Sequence, residues 1–401
     1  MMELTNPYKV PASEIESRRL KIQQELRLND IDGLFIVQRV DLFYFSGTAQ
    51  NGYMYIPAQG QSMLFIKQYF PRAVKESSVA DVVKIESIKE IPQLIADRYG
   101  RRPQVLGFEL DVLPVNDFDF YQGLFKVKKC VDGSPHILTV RRIKSDWEIA
   151  QLEDTAAMTA KTFEYMRAAI RPGLSEMEFA GMFETYARRL GHGAGIRVRH
   201  YRSEGYPWHI LSGKNGGMVG LLDSPASGQG TSADFPVGAG HKKLCADEPI
   251  RVDLASVLNG YHLDETRMFA IGCMPAKAMK TCRVAMEIHN AIIEKAKPGI
   301  TLGELFDHSV RLAAKLGYAE SYLGIPGHKV SFIGHGIGLE IVVPPIIAGN
   351  RKDRLEPGMV FALEPKFVYE NEFCAGIESV FLVTETGARL ISKVPLEVFV
   401  C

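Results

Sequence analysis

A chain of 401 residues is longer than one hydrophobic core usually supports, so two domains are expected. Its 47 lysines and arginines are matched by 47 aspartates and glutamates, which argues against a basic nucleic-acid surface and against an acidic solvating tail. The opening residues hold no apolar core of signal-peptide type, and no run reaches the ~18 apolar residues of a membrane span. A soluble, cytoplasmic protein without nucleic-acid or membrane partners is the expectation. Six cysteines (Cys130, Cys245, Cys273, Cys282, Cys374 and Cys401) show no CxxC spacing, so neither a disulfide framework nor a zinc ribbon is indicated.

Helical periodicity runs from about Ser13 to Asn29 through Ile15, Leu20, Ile22 and Leu26, and the apolar stretch Ile31 to Val37 follows as a buried strand. Short apolar runs recur at Met54 to Ile56, at Met63 to Ile66, around Val83 and at Val105 to Phe108. Strands alternating with helices imply an α/β domain over residues 1–140. Packing is the expected duty of its Tyr44, Tyr53 and Tyr55. The segment Arg141 to Gly173 opens with charge and becomes a long amphipathic helix, which places the second domain at residues 141–401.

An internal repeat then appears. Pro172-Gly173-Leu174-Ser175 with Glu178 recurs as Pro298-Gly299-Ile300-Thr301 with Glu304, each copy ending one helix and opening the next with a capping box. After the first copy comes RVDLASVLNGYHLDETRMFAIG, Arg251 to Gly272. Asn259-Gly260 is the dipeptide that best suits a tight hairpin turn, and folding there sets Ala255 opposite Asp264. Asp253 then becomes a diagonal neighbour of Asp264 on the same face, about 7–8 Å away at the backbone. A buried carboxylate is costly unless it is paired or binds a cation, so a metal site is expected.

After the second copy, Gly358 to Gly387 again holds two apolar runs around a polar turn. Centring that turn on Asn371 puts Glu364 opposite Glu378, with a bulge or edge expected at Pro365, which has no amide hydrogen for the ladder. Between the two hairpins lies GHGIGLEIVVPP, where glycines around His335 would let the backbone pass close to another element and present the imidazole. Four carboxylates and one imidazole offer hard oxygens and one nitrogen to a pair of divalent ions.

These residues resemble the pita-bread metallopeptidases, the family of methionine aminopeptidase, Xaa-Pro aminopeptidase, prolidase and creatinase. That family's ligand order of Asp, Asp, His, Glu, Glu falls on Asp253, Asp264, His335, Glu364 and Glu378. The segments GYHLDETRMF, GHGIGLE, ALEP, GIESVFLVTETG and RRIKSDWEI carry the similarity over Arg141 to the end, and the N-terminal α/β domain is similar to that of the prolidase and creatinase branch. The resemblance implies a duplicated α+β half-domain with a curved antiparallel sheet and two divalent ions (Mn, Co, Zn or Fe). It also implies Glu364 as proton acceptor, cleavage of a C–N bond in a short proline-containing peptide, and a homodimer.

Three departures stand beside it. A histidine is usual where Gly220 stands, another in a His-Glu pair where Val342-Val343 stands, and an arginine where Gly376 stands. Ordinary Xaa-Pro cleavage has therefore two rivals: a metal-dependent hydrolase or lyase acting on a small amide-like metabolite, and a non-catalytic peptide-binding relative. His262, on the Asp264 face, and His200, His209 and His241, flanking the glycine-rich segment 205–240, could compensate for the missing histidines. That segment is long enough to be a functional loop.

Overall fold

The computed structural model describes residues 8–200, 204–205, 208–221 and 224–401. Two compact units divide the chain, one taking in the described residues up to Arg141 together with His200, the other the described remainder. The first is a six-stranded mixed sheet in the order β4-β3-β2-β1-β5-β6. Its strands are β1 (Gly33–Ile36), β2 (Gly52–Pro57), β3 (Met63–Ile66), β4 (Asp81–Lys84), β5 (Val105–Phe108) and β6 (Lys129–Asp132). The helices are α1 (Ala12–Leu28), α2 (Arg39–Ser46), α3 (Phe70–Glu76), α4 (Ile91–Tyr99), α5 (Val115–Phe125) and α6 (Ser134–Arg142). Every residue of β1 and β3 is buried, which is why these strands read as unbroken apolar runs. Tyr44 and Tyr55 are core residues, and Tyr53 stacks on Phe35 with ring centroids 5.7 Å apart, so all three pack as the sequence suggested.

The second unit is built twice. After α7 (Asp146–Ala169), Gly173 turns at φ 87° and Ser175 caps α8 (Glu176–Arg189) reciprocally with Glu178. After α9 (Ala276–Lys295), Gly299 turns at φ 90° and Thr301 caps α10 (Leu302–Lys315) with Glu304. The equivalence extends to the backbone. Gly173 donates to the Leu244 carbonyl and Gly299 to the Leu355 carbonyl, each at 2.9 Å, and Leu244 and Leu355 donate back to Leu174 and Ile300. Each half has its own core, Phe179, Phe183, Val252 and Phe269 in one and Ile288, Leu305, Phe361 and Phe381 in the other.

The first half contributes β7 (Trp208–Ser212), β8 (Ile250–Leu258) and β9 (Tyr261–Ala270). Asn259 and Gly260 both take positive φ, 54° and 88°, as a tight two-residue turn of this kind requires. The ladder pairs Ala255 with Asp264 and Asp253 with Thr266, the register read from the sequence. The second half contributes β10 (Phe332–Gly336), β11 (Val343–Ala348), β12 (Val360–Leu363), β13 (Lys366–Tyr369), β14 (Phe373–Gly376), β15 (Ser379–Val383) and β16 (Ala388–Leu390), and β17 (Phe399–Val400) returns to β9. The sheets are ordered β17-β9-β8-β7 and β11-β10-β12-β15-β16, with β13-β14 as a separate ribbon. They are antiparallel apart from the β17 contact.

The irregularity expected at Pro365 is a full break. Leu363 pairs with Ser379 on one side of it and Lys366 with Gly376 on the other, so the register carries across and Glu364 falls opposite Glu378. At the break the two glutamates turn their amides elsewhere, Glu364 to the Ile333 carbonyl at 2.8 Å and Glu378 to the Thr266 carbonyl at 3.1 Å. That second bond bridges the two halves.

One buried histidine makes the second half acid-sensitive. His289 on α9 is 2% exposed and lies against Phe381, and burial pushes its imidazole from 6.5 down to about 4. The unfolded chain takes up this proton below about 6.5 and the folded chain only below about 4. Stability is therefore undiminished above that window, falls by up to ~3 kcal/mol as pH drops through it, and is level beneath it. His289→Leu is expected to flatten the pH dependence of the denaturant unfolding free energy between these limits. Identical slopes in the two proteins would refute this account.

Candidate metal centre

Alternation along the strands brings the expected residues to one place. Ala362, two residues before Glu364, pairs with His335, so His335 and Glu364 share a face, and Glu378 lies opposite Glu364. The glycines beside His335 are required by proximity. A Cβ on Gly334 would lie 2.3 Å from the Ala362 carbonyl oxygen, and one on Gly336 would lie 2.3 Å from that of Pro344. His335 Nε2 stands 3.9 Å from Asp264 Oδ2, 3.6 Å from Glu364 Oε1 and 3.9 Å from Glu378 Oε1. Asp264, His335 and Glu378 present ligand atoms that all lie within 4.8 Å of one another.

Asp253 faces the same cluster but meets a different partner. The Lys366 ammonium donates to Asp253 Oδ2 at 3.1 Å, to Glu364 Oε2 at 2.8 Å and to Glu378 Oε2 at 3.1 Å. Thr266 Oγ1 donates to the same Glu378 oxygen at 2.9 Å. The Arg251 guanidinium lies 3.5 Å from Asp253 and donates to His209 Nδ1, while His209 Nε2 meets the Ser227 carbonyl at 2.9 Å. Lys366 and Arg251 escaped the sequence reading. The available signal was a lysine two residues after Glu364 in an otherwise apolar strand, hence on the same face as the glutamate.

Electrostatics divides the site in two. Burial alone would raise the Asp253 carboxyl, but Lys366 and Arg251 beside it hold it at about 2. Burial would likewise strip the proton from Lys366, yet Asp253, Glu364 and Glu378 raise its pKa well above the usual lysine value. Opposite, burial and the charges of Glu378 and Asp253 push Asp264 well above the carboxylate range. Glu378 is lifted to about 8, by burial first, with Lys366 opposing and Glu364 and Asp253 adding to it. The ionised form of Asp264 is thus disfavoured for want of a cation as near to it as Lys366 is to Asp253. Glu378 Oε1 is buried with no hydrogen-bond partner, and with His335 Nε2 and Asp264 it forms a donor set suited to a first-row divalent ion.

The other flagged histidines do different work. His262 is fully buried on the Asp264 face, where its Nε2 accepts from the Arg197 amide and its Nδ1 meets the Gly338 carbonyl, and burial drives its pKa to about 3. His200 and His241 are exposed. Of the glycine-rich segment, residues 206–207 and 222–223 lie outside the described structure, and much of the rest is buried. Glu176 ties it down, accepting from the Ser212 amide and hydroxyl, the Asn215 side chain and the Gly240 amide at 2.5–2.9 Å. Val342 is 41% exposed, and Gly376 lies opposite Lys366 in the β13–β14 ribbon.

The duplicated half-domain and this clustering define a metallopeptidase-like hydrolase of the pita-bread fold. The chain belongs to metallopeptidase family M24, whose model matches residues 150–385, and the creatinase/prolidase N-terminal domain matches residues 18–143, which places it in the Xaa-Pro aminopeptidase, prolidase and creatinase branch. An Xaa-Pro dipeptidase of Pyrococcus furiosus is 27% identical over 96% of this chain and 99% of its own length. In fold, the chain is similar to the Xaa-Pro dipeptidase from Bacillus anthracis (TM-score 0.82, 23% identity, 96% of this chain and 100% of that one). It is also similar to the X-Pro aminopeptidase from Thermotoga maritima (TM-score 0.80, 21% identity, 94% and 100%).

The close approach at His335 is open to test. Gly334→Ala pushes a methyl group against the Ala362 carbonyl, and forced repacking of this kind costs ~1–3 kcal/mol. A lower unfolding midpoint is expected together with an affinity for Mn(II), measured calorimetrically, reduced about tenfold or more. Wild-type behaviour in both would show that the glycine is dispensable.

Proposed function

We propose that the protein hydrolyses the C–N bond before a proline in a short peptide, as an enzyme of Xaa-Pro aminopeptidase or prolidase type, with Asp253, Asp264, His335, Glu364 and Glu378 as its site. The observation that carries this reading is the convergence of Asp264 from one half-domain with His335 and Glu378 from the other, around a glutamate oxygen that has no partner. Relatives named Xaa-Pro dipeptidase, aligned over nearly their whole lengths, support the substrate class. Asp264, His335 and Glu378, with Glu364 Oε1 alongside, would hold the divalent ion. Mixed oxygen and nitrogen donors suit Mn, Co, Zn or Fe alike. Such an ion supplies an acidified water and a Lewis acid for the scissile carbonyl.

The chain's own groups supply the rest. Glu364 accepts the proton of the attacking water, its Oε2 anchored by Lys366 at 2.8 Å and its Oε1 turned towards His335 at 3.6 Å. Asp264 has the most exposed side chain of the set, at 16%, and marks the side from which substrate enters. The homodimer and the cytoplasmic location expected from the sequence belong to the same proposal. A second reading, a small amide-like metabolite as substrate, is favoured by the exposed apolar Val342 and by Gly220 at the two places where auxiliary histidines were expected.

A panel of Xaa-Pro dipeptides and small amides, assayed with Mn, Co, Zn and Fe, tests this reading. Chelation is expected to abolish turnover, and Asp264→Ala to lower kcat/KM by at least ~100-fold, about 2.7 kcal/mol of barrier. Turnover of amides but of no Xaa-Pro peptide would favour the second reading. Undiminished activity in Asp264→Ala would sink both.

A further inference from the structure

We infer that the Lys366 side chain is a built-in cation standing where the second of the two expected metal ions would bind, so that the protein holds one divalent ion and one tethered ammonium. This rests on the metal-dependent reading of the site. An ammonium has three N–H donors, and those of Lys366 are directed at three carboxylates, on Asp253, Glu364 and Glu378, at 2.8–3.1 Å. An ion bound to the same three oxygens at ~2.0–2.6 Å would need the volume that the nitrogen fills. The two cannot be present together.

The oxygens are shared out accordingly. Glu364 and Glu378 each give Oε2 to Lys366 and turn Oε1 towards His335, at 3.6 and 3.9 Å. Asp253, which sits on the lysine side, is absent from the cluster formed by Asp264, His335 and Glu378. Charge agrees with this division. With all four carboxylates ionised, Lys366 and Arg251 offset two of the charges, and the two that remain match a single divalent ion.

The backbone is shaped to admit the lysine. Gly376 pairs with Lys366 across the ribbon, and a Cβ there would lie 2.7 Å from Lys366 Cγ and 2.8 Å from the Pro365 carbonyl oxygen. Any other residue at 376 would compete with Lys366 for its place. The lysine side chain is 3% exposed, and its backbone carbonyl accepts from Leu323 at 2.9 Å, so the ammonium is held in the interior.

Metal stoichiometry and Mn(II) electron paramagnetic resonance test the inference without reference to activity. Wild type, saturated with Mn(II), is expected to hold one ion per chain with an uncoupled six-line spectrum. Lys366→Ala is expected to take up two and show a spin-coupled pair, while Lys366→Arg, which keeps the cation, stays at one. Two ions per wild-type chain would overturn the inference and leave the metal-dependent reading intact, and would do so even if Lys366→Ala failed to fold. A folded Lys366→Ala still limited to one ion would also overturn it. Absence of metal from wild type and from Lys366→Ala alike would overturn the metal-dependent reading itself.

Discussion

Four carboxylates gathered in the interior of a protein cannot all stay ionised without positive charge among them, and the centre of this molecule is organised by how that demand is met. Lys366 answers it on one side, with three charge-assisted hydrogen bonds to the carboxylates of Asp253, Glu364 and Glu378, reinforced by Arg251 behind Asp253. On the other side Asp264 and the second oxygen of Glu378 face His335, and burial pushes both carboxyls upward. The asymmetry is what makes that side a receptor for a metal ion. It also gives Glu364 two distinct oxygens, one anchored by the lysine and one facing His335.

The duplication explains how so many acids reach one point. Each half builds a helix pair joined by a Pro-Gly turn and a capping box, then a hairpin that carries two acids on one face. The hairpins are not used identically. The first is continuous through its ladder, whereas the second breaks at Glu364-Pro365, where the missing proline amide frees the strands to pair with other elements. One such bond, from the Glu378 amide to Thr266, is the seam through which the two halves share a site. The β13–β14 ribbon beyond the same break is the part of the hairpin that carries Lys366, opposite Gly376.

Much of this was legible in the chain. Asn259-Gly260 specifies its turn because few other pairs accept two positive φ angles, and once the turn is set the alternation of side chains places Asp253 and Asp264 without further information. The same arithmetic around Asn371 paired Glu364 with Glu378, and the glycines beside His335 announced a close approach to another element, which β12 makes at Gly334 and β11 at Gly336. The repeat was visible because capping boxes are short, local and chemically strict. His262 was harder to read: on the correct face, it is consumed by backbone hydrogen bonds to Arg197 and Gly338 that no local pattern announces.

Sequence by itself therefore determined the two-domain α/β and α+β organisation, the register of both hairpins and the five residues that face the centre, because turns, caps and alternation act between near neighbours. Tertiary structure alone decided that Lys366 enters the cluster of acids, that Gly376 makes room for it, and that Asp253 meets lysine and arginine while Asp264 and Glu378 Oε1 face His335 in the cluster suited to a metal ion. The meeting of Lys366 with Asp253 spans 113 residues of sequence, and the competition between desolvation and charge exists only once the strands have closed around the site.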